Sequence, residues 1–201
     1  MSMRVPEPLR RFIWDIQSMV ELADDPREIL MIGADLMRRL VARDDWLPPD
    51  LRAAGSAPRL YKLYHDEMER FCVVASALGE GQGWPLFADQ TWEICGVLAG
   101  TLQRRSFVVS GEGAPQAVSE GRQLAAGEIA TAGAGEGQAS EIRNSGAGAM
   151  LSIHVFGADI GTAPRLSIGA DGARAPLVLG YANPDHAPAF DILTIQADIV
   201  D

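Results

Sequence analysis

The residues able to do chemistry are few, and they fall in two short stretches. The chain has three histidines and two cysteines. One histidine, His154, sits in an apolar run (LSIHVFG) with Ser152 two positions before it. Residues two apart on a strand point to the same face. Ser152 and His154 therefore read as a hydrogen-bonded pair, structural if simply buried and catalytic if it faces a substrate. The second stretch is GQGWPLFADQTWEICGVLAG, residues 81–100. Asp89 and Glu93 lie four apart there, on one face of an expected strand. With His154 they could hold a hard divalent ion, Mn2+ or Mg2+; equally, they could line a hydrated barrel mouth. Trp84, Phe87 and Trp92 in this stretch, with Phe156, either form a pocket for an apolar or aromatic ligand or only fill a core. Cys72 and Cys95 stand in apolar runs without a C-x-x-C or a histidine at ligand spacing, which predicts buried reduced thiols. His65, after an expected strand, and His186, between prolines, have no such partners.

Those residues need elements to position them. Leu9, Phe12, Ile13, Ile16, Met19, Val20 and Leu22 recur at helical spacing over 7–22. Asp24-Asp25-Pro26 then supplies a cap and a first-turn proline for a second helix reaching about residue 43. A loop follows to residue 57. Beyond it come short Val-, Ile-, Leu- and aromatic-rich runs at 60–64, 70–78, 91–98, 103–109, 128–131, 140–143, 149–156, 175–179 and 190–196, punctuated by glycine. Such spacing predicts a jelly-roll sandwich or barrel. The expected organisation is a helical segment over 1–57 packed on a barrel over 58–201, a mainly β protein.

Glycine and acid spacing in 81–100 resembles the first cupin motif, G-x5-H-x-H-x3-E-x6-G. Gly81, Glu93 and Gly100 match it, while Phe87 and Asp89 stand at the two histidine positions. In the second motif, Ser140 stands four residues before Asn144, where the third histidine belongs, with Gly127 as an opening glycine. The ordered strings FCVVASALGEGQGWPL, TWEICGVLAG, EIRNSG, SIHVFGADIG and GYANP further resemble the bacterial cysteine dioxygenases and 3-mercaptopropionate dioxygenases, from about residue 59 to 184. That resemblance implies a cupin barrel (a double-stranded β-helix) behind N-terminal helices. It also implies Fe(II) on three histidines, oxidising a thiol with O2 to a sulfinic acid. The family's Ser-x-His-x-Tyr relay maps to Ser152, His154 and Phe156, and its substrate-carboxylate side chain to about Leu60, after Arg59. Three iron-ligand positions, Phe87, Asp89 and Ser140, carry no histidine, and the relay lacks its tyrosine.

The expectation is therefore a non-catalytic protein without a resident cofactor, binding a small molecule or a partner. The alternatives are a Mn2+ or Mg2+ site on Asp89, Glu93 and His154, and residual iron-dependent thiol oxidation. A net charge of -10 and a pI near 4.7 oppose binding to nucleic acid or anionic membranes. The arginine pairs 10–11, 38–39 and 104–105 read as solvated faces. No apolar run suits a signal peptide or a membrane span, so a cytoplasmic protein is expected, with a homodimer open to it.

Overall fold

Proline and aspartate set the two helices. Helix α1 (Glu7–Leu22) starts behind Pro6 and buries Leu9, Phe12, Ile13, Ile16 and Met19 on one face. Asp25 caps α2 (Pro26–Leu40): its Oδ1 accepts from the backbone N–H groups of Arg27 (2.6 Å) and Glu28 (3.1 Å). Helix α2 stops at Leu40 rather than near residue 43. The computed structural model describes residues 4–23, 25–88, 90–110, 113–118, 120–135 and 137–190.

The strands are β1 (Arg59–His65), β2 (Cys72–Leu78), β3 (Gly83–Ala88), β4 (Glu93–Ala99), β5 (Thr101–Val108), β6 (Gln116–Ala117), β7 (Arg122–Ala125), β8 (Ile129–Ala132), β9 (Gln138–Asn144), β10 (Met150–Phe156), β11 (Arg165–Ile168) and β12 (Arg174–Leu177). They form two antiparallel sheets, ordered β1-β2-β10-β4-β8 and β12-β11-β3-β9-β5-β6, with β7 also on β5. This is a double-stranded β-helix arrangement, mainly β, with two helices before it in the chain.

Four strands lie where none was expected: β3, β6, β7 and β11. Pro85 and Gly83 argue against a strand at β3. The chain accommodates the proline at an irregularity, where pairing with β9 shifts register between Trp84 and Phe87. Of the run expected at 190–196, only Phe190 lies within the described residues, and it is buried.

Alternation along β10 divides two environments. Leu151, Ile153 and Val155 join Leu9, Ile13, Ile16 and Met37 in the core between sheet and helices. Ser152, His154 and Phe156 turn inward instead. Helix α2 reaches β4 closely because Gly96 has no side chain: a Cβ there would lie 2.7 Å from Met37 Cγ. Gly100, with φ +80°, makes the one-residue link from β4 to β5 that a side chain would strain. Among the described residues, no helix is long and apolar enough to cross a membrane.

Candidate functional site

Four strands aim polar side chains into the barrel. On adjacent β4 and β10, Glu93 pairs with Phe156 and Cys95 with His154. From the other sheet, β5 contributes Arg104 and β9 contributes Ser140. These groups form one chain of contacts. Ser140 Oγ accepts from Arg104 Nη2 (3.1 Å), and the same nitrogen pairs with Glu93 Oε2 (2.7 Å). Glu93 Oε1 meets His154 Nδ1 at 2.7 Å. His154 Nε2 lies 2.8 Å from Ser152 Oγ and 3.9 Å from Cys95 Sγ.

Burial alone would neutralise such groups. It pushes the Glu93 carboxyl up, but the Arg104 charge and the His154 ring outweigh it and hold the acid well below its usual range. Burial also pushes His154 down; Cys95 and Glu93 outweigh it and raise the imidazole to about 10. The ring is therefore an imidazolium at neutral pH, donating from Nδ1 to Glu93 and from Nε2 to Ser152. An imidazolium has no lone pair for a metal and cannot act as a base.

Beside this network lies a cavity of about 40 Å³, lined among others by Leu60, Trp84, Phe87, His154, Phe156 and Arg165. That volume suits a few water-sized groups. Its wall is ordered: Trp84 Nε1 donates to Ser76 Oγ at 2.8 Å, and the His154 and Phe156 rings stack with centroids 5.6 Å apart. The Arg165 guanidinium lies over Phe87 at 4.6 Å and over Phe156 at 5.6 Å.

The structure brings Trp84, Phe87, Glu93, Ser140, His154 and Phe156 to one cavity. Ser152 sits behind His154, fully buried. Trp92 does not join them. It precedes Glu93, so alternation turns it into the core shared with the helices. Asp89 lies outside the described residues. Glu93 opens β4. Leu60 reaches the cavity, where Arg165 adds a guanidinium to the Glu93 and His154 side chains. Both thiols are buried and free; Cys72 donates to the Ala158 carbonyl (3.0 Å), and burial pushes it up to about 12.

Arg104 is the main correction. Only its neighbour Arg105 is surface-facing, 3.7 Å from Glu141; Arg104 is buried inside the barrel. The signal was present in the sequence, since Leu102 and Arg104 are two apart and must share a face. Cys95, two after Glu93, was readable in the same way, whereas nothing local marked Arg165.

The described residues do not fit a three-histidine ferrous centre. Phe87 and Ser140, directly paired across β3 and β9, offer no lone pair and a protonated hydroxyl bound to a guanidinium. Phe156 offers no phenol. A Mn2+ or Mg2+ site on Glu93 and His154 would have to displace Arg104 and their mutual bond. The ligand atoms of Glu93, Cys95 and His154 do lie within 4.8 Å of one another.

No family model matches the sequence. Solved structures similar to the chain include a protein from Thermus thermophilus at 22% identity, covering 54% of this chain and 91% of that one, with TM-score 0.43. An RmlC-like cupin family protein from Methanocaldococcus jannaschii shares 12% identity over 56% and 86% of the chains, TM-score 0.42. A Klebsiella pneumoniae protein with a double-stranded β-helix domain shares 17% over 63% and 89%, TM-score 0.41. Likeness at this level assigns no activity.

Proposed function

We propose that this chain is a cysteine dioxygenase-type cupin that has given up iron chemistry and binds a small anion in its barrel. The observation that supports the reading is the Arg104 contact to Ser140, the residue at which the resemblance puts the third iron ligand. Phe87 opposite and Phe156 beyond supply apolar faces to the same cavity. A cavity of about 40 Å³ limits the ligand to a few heavy atoms. Arg165, braced across two aromatic rings, supplies the group that pairs with a carboxylate or similar anion; a guanidinium's five donors let it hold more than one partner.

Two measurements test this. Protein reconstituted with Fe2+ should consume no oxygen with cysteine or 3-mercaptopropionate, and one tightly held iron per chain would overturn the reading. A thermal-shift series of short carboxylates should raise the melting temperature in a concentration-dependent way. Arg165→Leu should abolish that shift while leaving the unliganded melting temperature within a few degrees.

A further inference from the structure

A metal at the centre of such a barrel would tie the two sheets together through side chains from both. Here a side chain makes that connection. Arg104 leaves β5 in one sheet, meets Glu93 on β4 of the other at 2.7 Å, and meets Ser140 on β9 at 3.1 Å. The side chains of Arg104 and Glu93 are each 7% exposed, so the contact is made away from solvent.

The same region holds donors that the iron reading does not use as ligands. The Cys95 thiol, the His154 imidazole and the Glu93 carboxylate converge on one buried spot, with their ligand atoms within 4.8 Å and Sγ to Nε2 at 3.9 Å. Ligands about 2.0–2.3 Å from a tetrahedral zinc ion stand roughly 3.3–3.7 Å from one another. Sγ and Nε2 therefore need only a small shift, while the Glu93 carboxylate must turn away from His154 Nδ1 to close a separation of up to 4.8 Å. A thiolate, an imidazole and a carboxylate suit Zn2+ or Co2+ far better than Mn2+ or Mg2+. What opposes the ion is Arg104. Its charge lies against Glu93, one carboxylate oxygen serves the guanidinium and the other serves His154, and a second cation would be repelled strongly in this medium.

We propose that the Arg104 guanidinium is the resident cation of this barrel, standing where a metal would stand, and that it closes a zinc-type site made of Glu93, Cys95 and His154. Without that cation, an entering Zn2+ or Co2+ takes over the Glu93 carboxylate. It displaces the thiol proton of Cys95 and the ring proton of His154 to solvent. The inference rests on the loss of iron ligands but not on the anion bound at Arg165, so the two fail separately.

The test is a Co2+ titration of the full chain, read by the thiolate-to-cobalt charge-transfer absorbance and by metal content after desalting. Wild type should stay silent. Arg104→Gln should bind one Co2+ per chain with a thiolate band, and adding Cys95→Ser should remove the band. Arg104→Lys keeps a cation in place and should stay silent. Should Arg104→Gln fail to fold alone, refolding with Zn2+ should recover it, because the metal then supplies the missing charge. The idea is overturned by a thiolate band in wild type, by a folded Arg104→Gln without one, or by an unfolded Arg104→Gln that Zn2+ does not rescue.

Discussion

Two of the buried charge networks among the described residues are built in opposite ways. The interior one joins Arg104, Glu93, His154 and Ser152, all on strands whose register fixes them. The other lies at the barrel rim. Lys62 on β1 reaches Asp159 Oδ2 at 2.8 Å, in the connection after β10. Tyr181 donates to the second oxygen of Asp159, and His65 Nε2 stands 3.9 Å from the first. Around Lys62 the backbone is stitched to the segment 182–189: Asn183 Oδ1 accepts from Lys62 N–H (2.7 Å), and Ala189 N–H donates to Lys62 C=O (2.8 Å). Ile160 and Leu179, carried by these irregular segments, line the cavity. One network thus fixes the barrel's centre, while the other holds its cover.

The difference in burial predicts a difference in cost. Glu93→Ala leaves two buried cations facing each other without their carboxylate. Removing one partner of a buried ion pair costs about 3–5 kcal/mol, so the largest loss of urea stability in the molecule should fall here. A loss no larger than that of an exposed pair would mean that water enters the barrel and screens the network.

pH separates the two networks. Glu93 is held below its usual 4.5, so its contribution is present above that pH and is lost as pH falls through the lower folded value. Asp159 behaves alike: burial pushes it up, and Lys62 and Tyr181 outweigh this and lower it. Acid therefore weakens both networks. His154, raised from 6.5 to about 10, contributes fully below 6.5 and loses that contribution as pH climbs to about 10. The first alkaline decline belongs to the interior; at higher pH Cys72, raised from 9.0 to about 12, and the rim's Tyr181, raised above its usual 10.0, add to it. Urea midpoints measured from neutral pH to about pH 8.5, below those values, should fall in wild type and flatten in His154→Gln. An unchanged slope in the variant would place the titrating group elsewhere.

The contrast also explains what could be read from the sequence. Period-two alternation placed Ser152, His154 and Phe156 on one face, and the same rule would have placed Arg104 with Leu102. The rim gave no such handle. Lys62 and Asp159 stand 97 positions apart, and Asp159 and Tyr181 22 apart; Lys62 is on β1, but its two partners lie on irregular segments with no period to read. Arg165 reached the cavity through β11, a strand the sequence did not reveal. The helices were plain because capping and periodicity are local, while β3 was hidden by a proline that only its pairing with β9 accommodates.

At the rim, Asp159→Asn keeps the shape and removes the charge opposite Lys62. Hydrogen bonds to charged groups contribute roughly 1.5–3 kcal/mol, and the partial exposure of Asp159 lowers the expected loss to about 1–2 kcal/mol. Because the cover carries Ile160 and Leu179, the variant should also bind and release small carboxylates faster in stopped-flow measurements, with both rates raised together. Equal stability loss in Asp159→Asn and Glu93→Ala would erase the distinction between centre and rim.

The smallest effect sharpens the comparison most. Tyr181→Phe removes the hydroxyl that donates to Asp159 and accepts from Gly161 N–H at 3.0 Å. The ring beneath Lys62, 4.4 Å from Nζ, is retained. A single hydrogen bond of this kind contributes about 0.5–1.5 kcal/mol, and Gly161 N–H keeps a second acceptor in Asp159 Oδ1 at 3.3 Å. The loss should therefore lie at the low end of that range. Hydrogen exchange should show it as faster exchange at Gly161 and Gly180, whose N–H donates to Gly161 C=O, with no change at Ile153 or Val155 on β10. Exchange that quickens on β10 as well would show that cover and barrel open as one unit, and the two networks would then be parts of a single one.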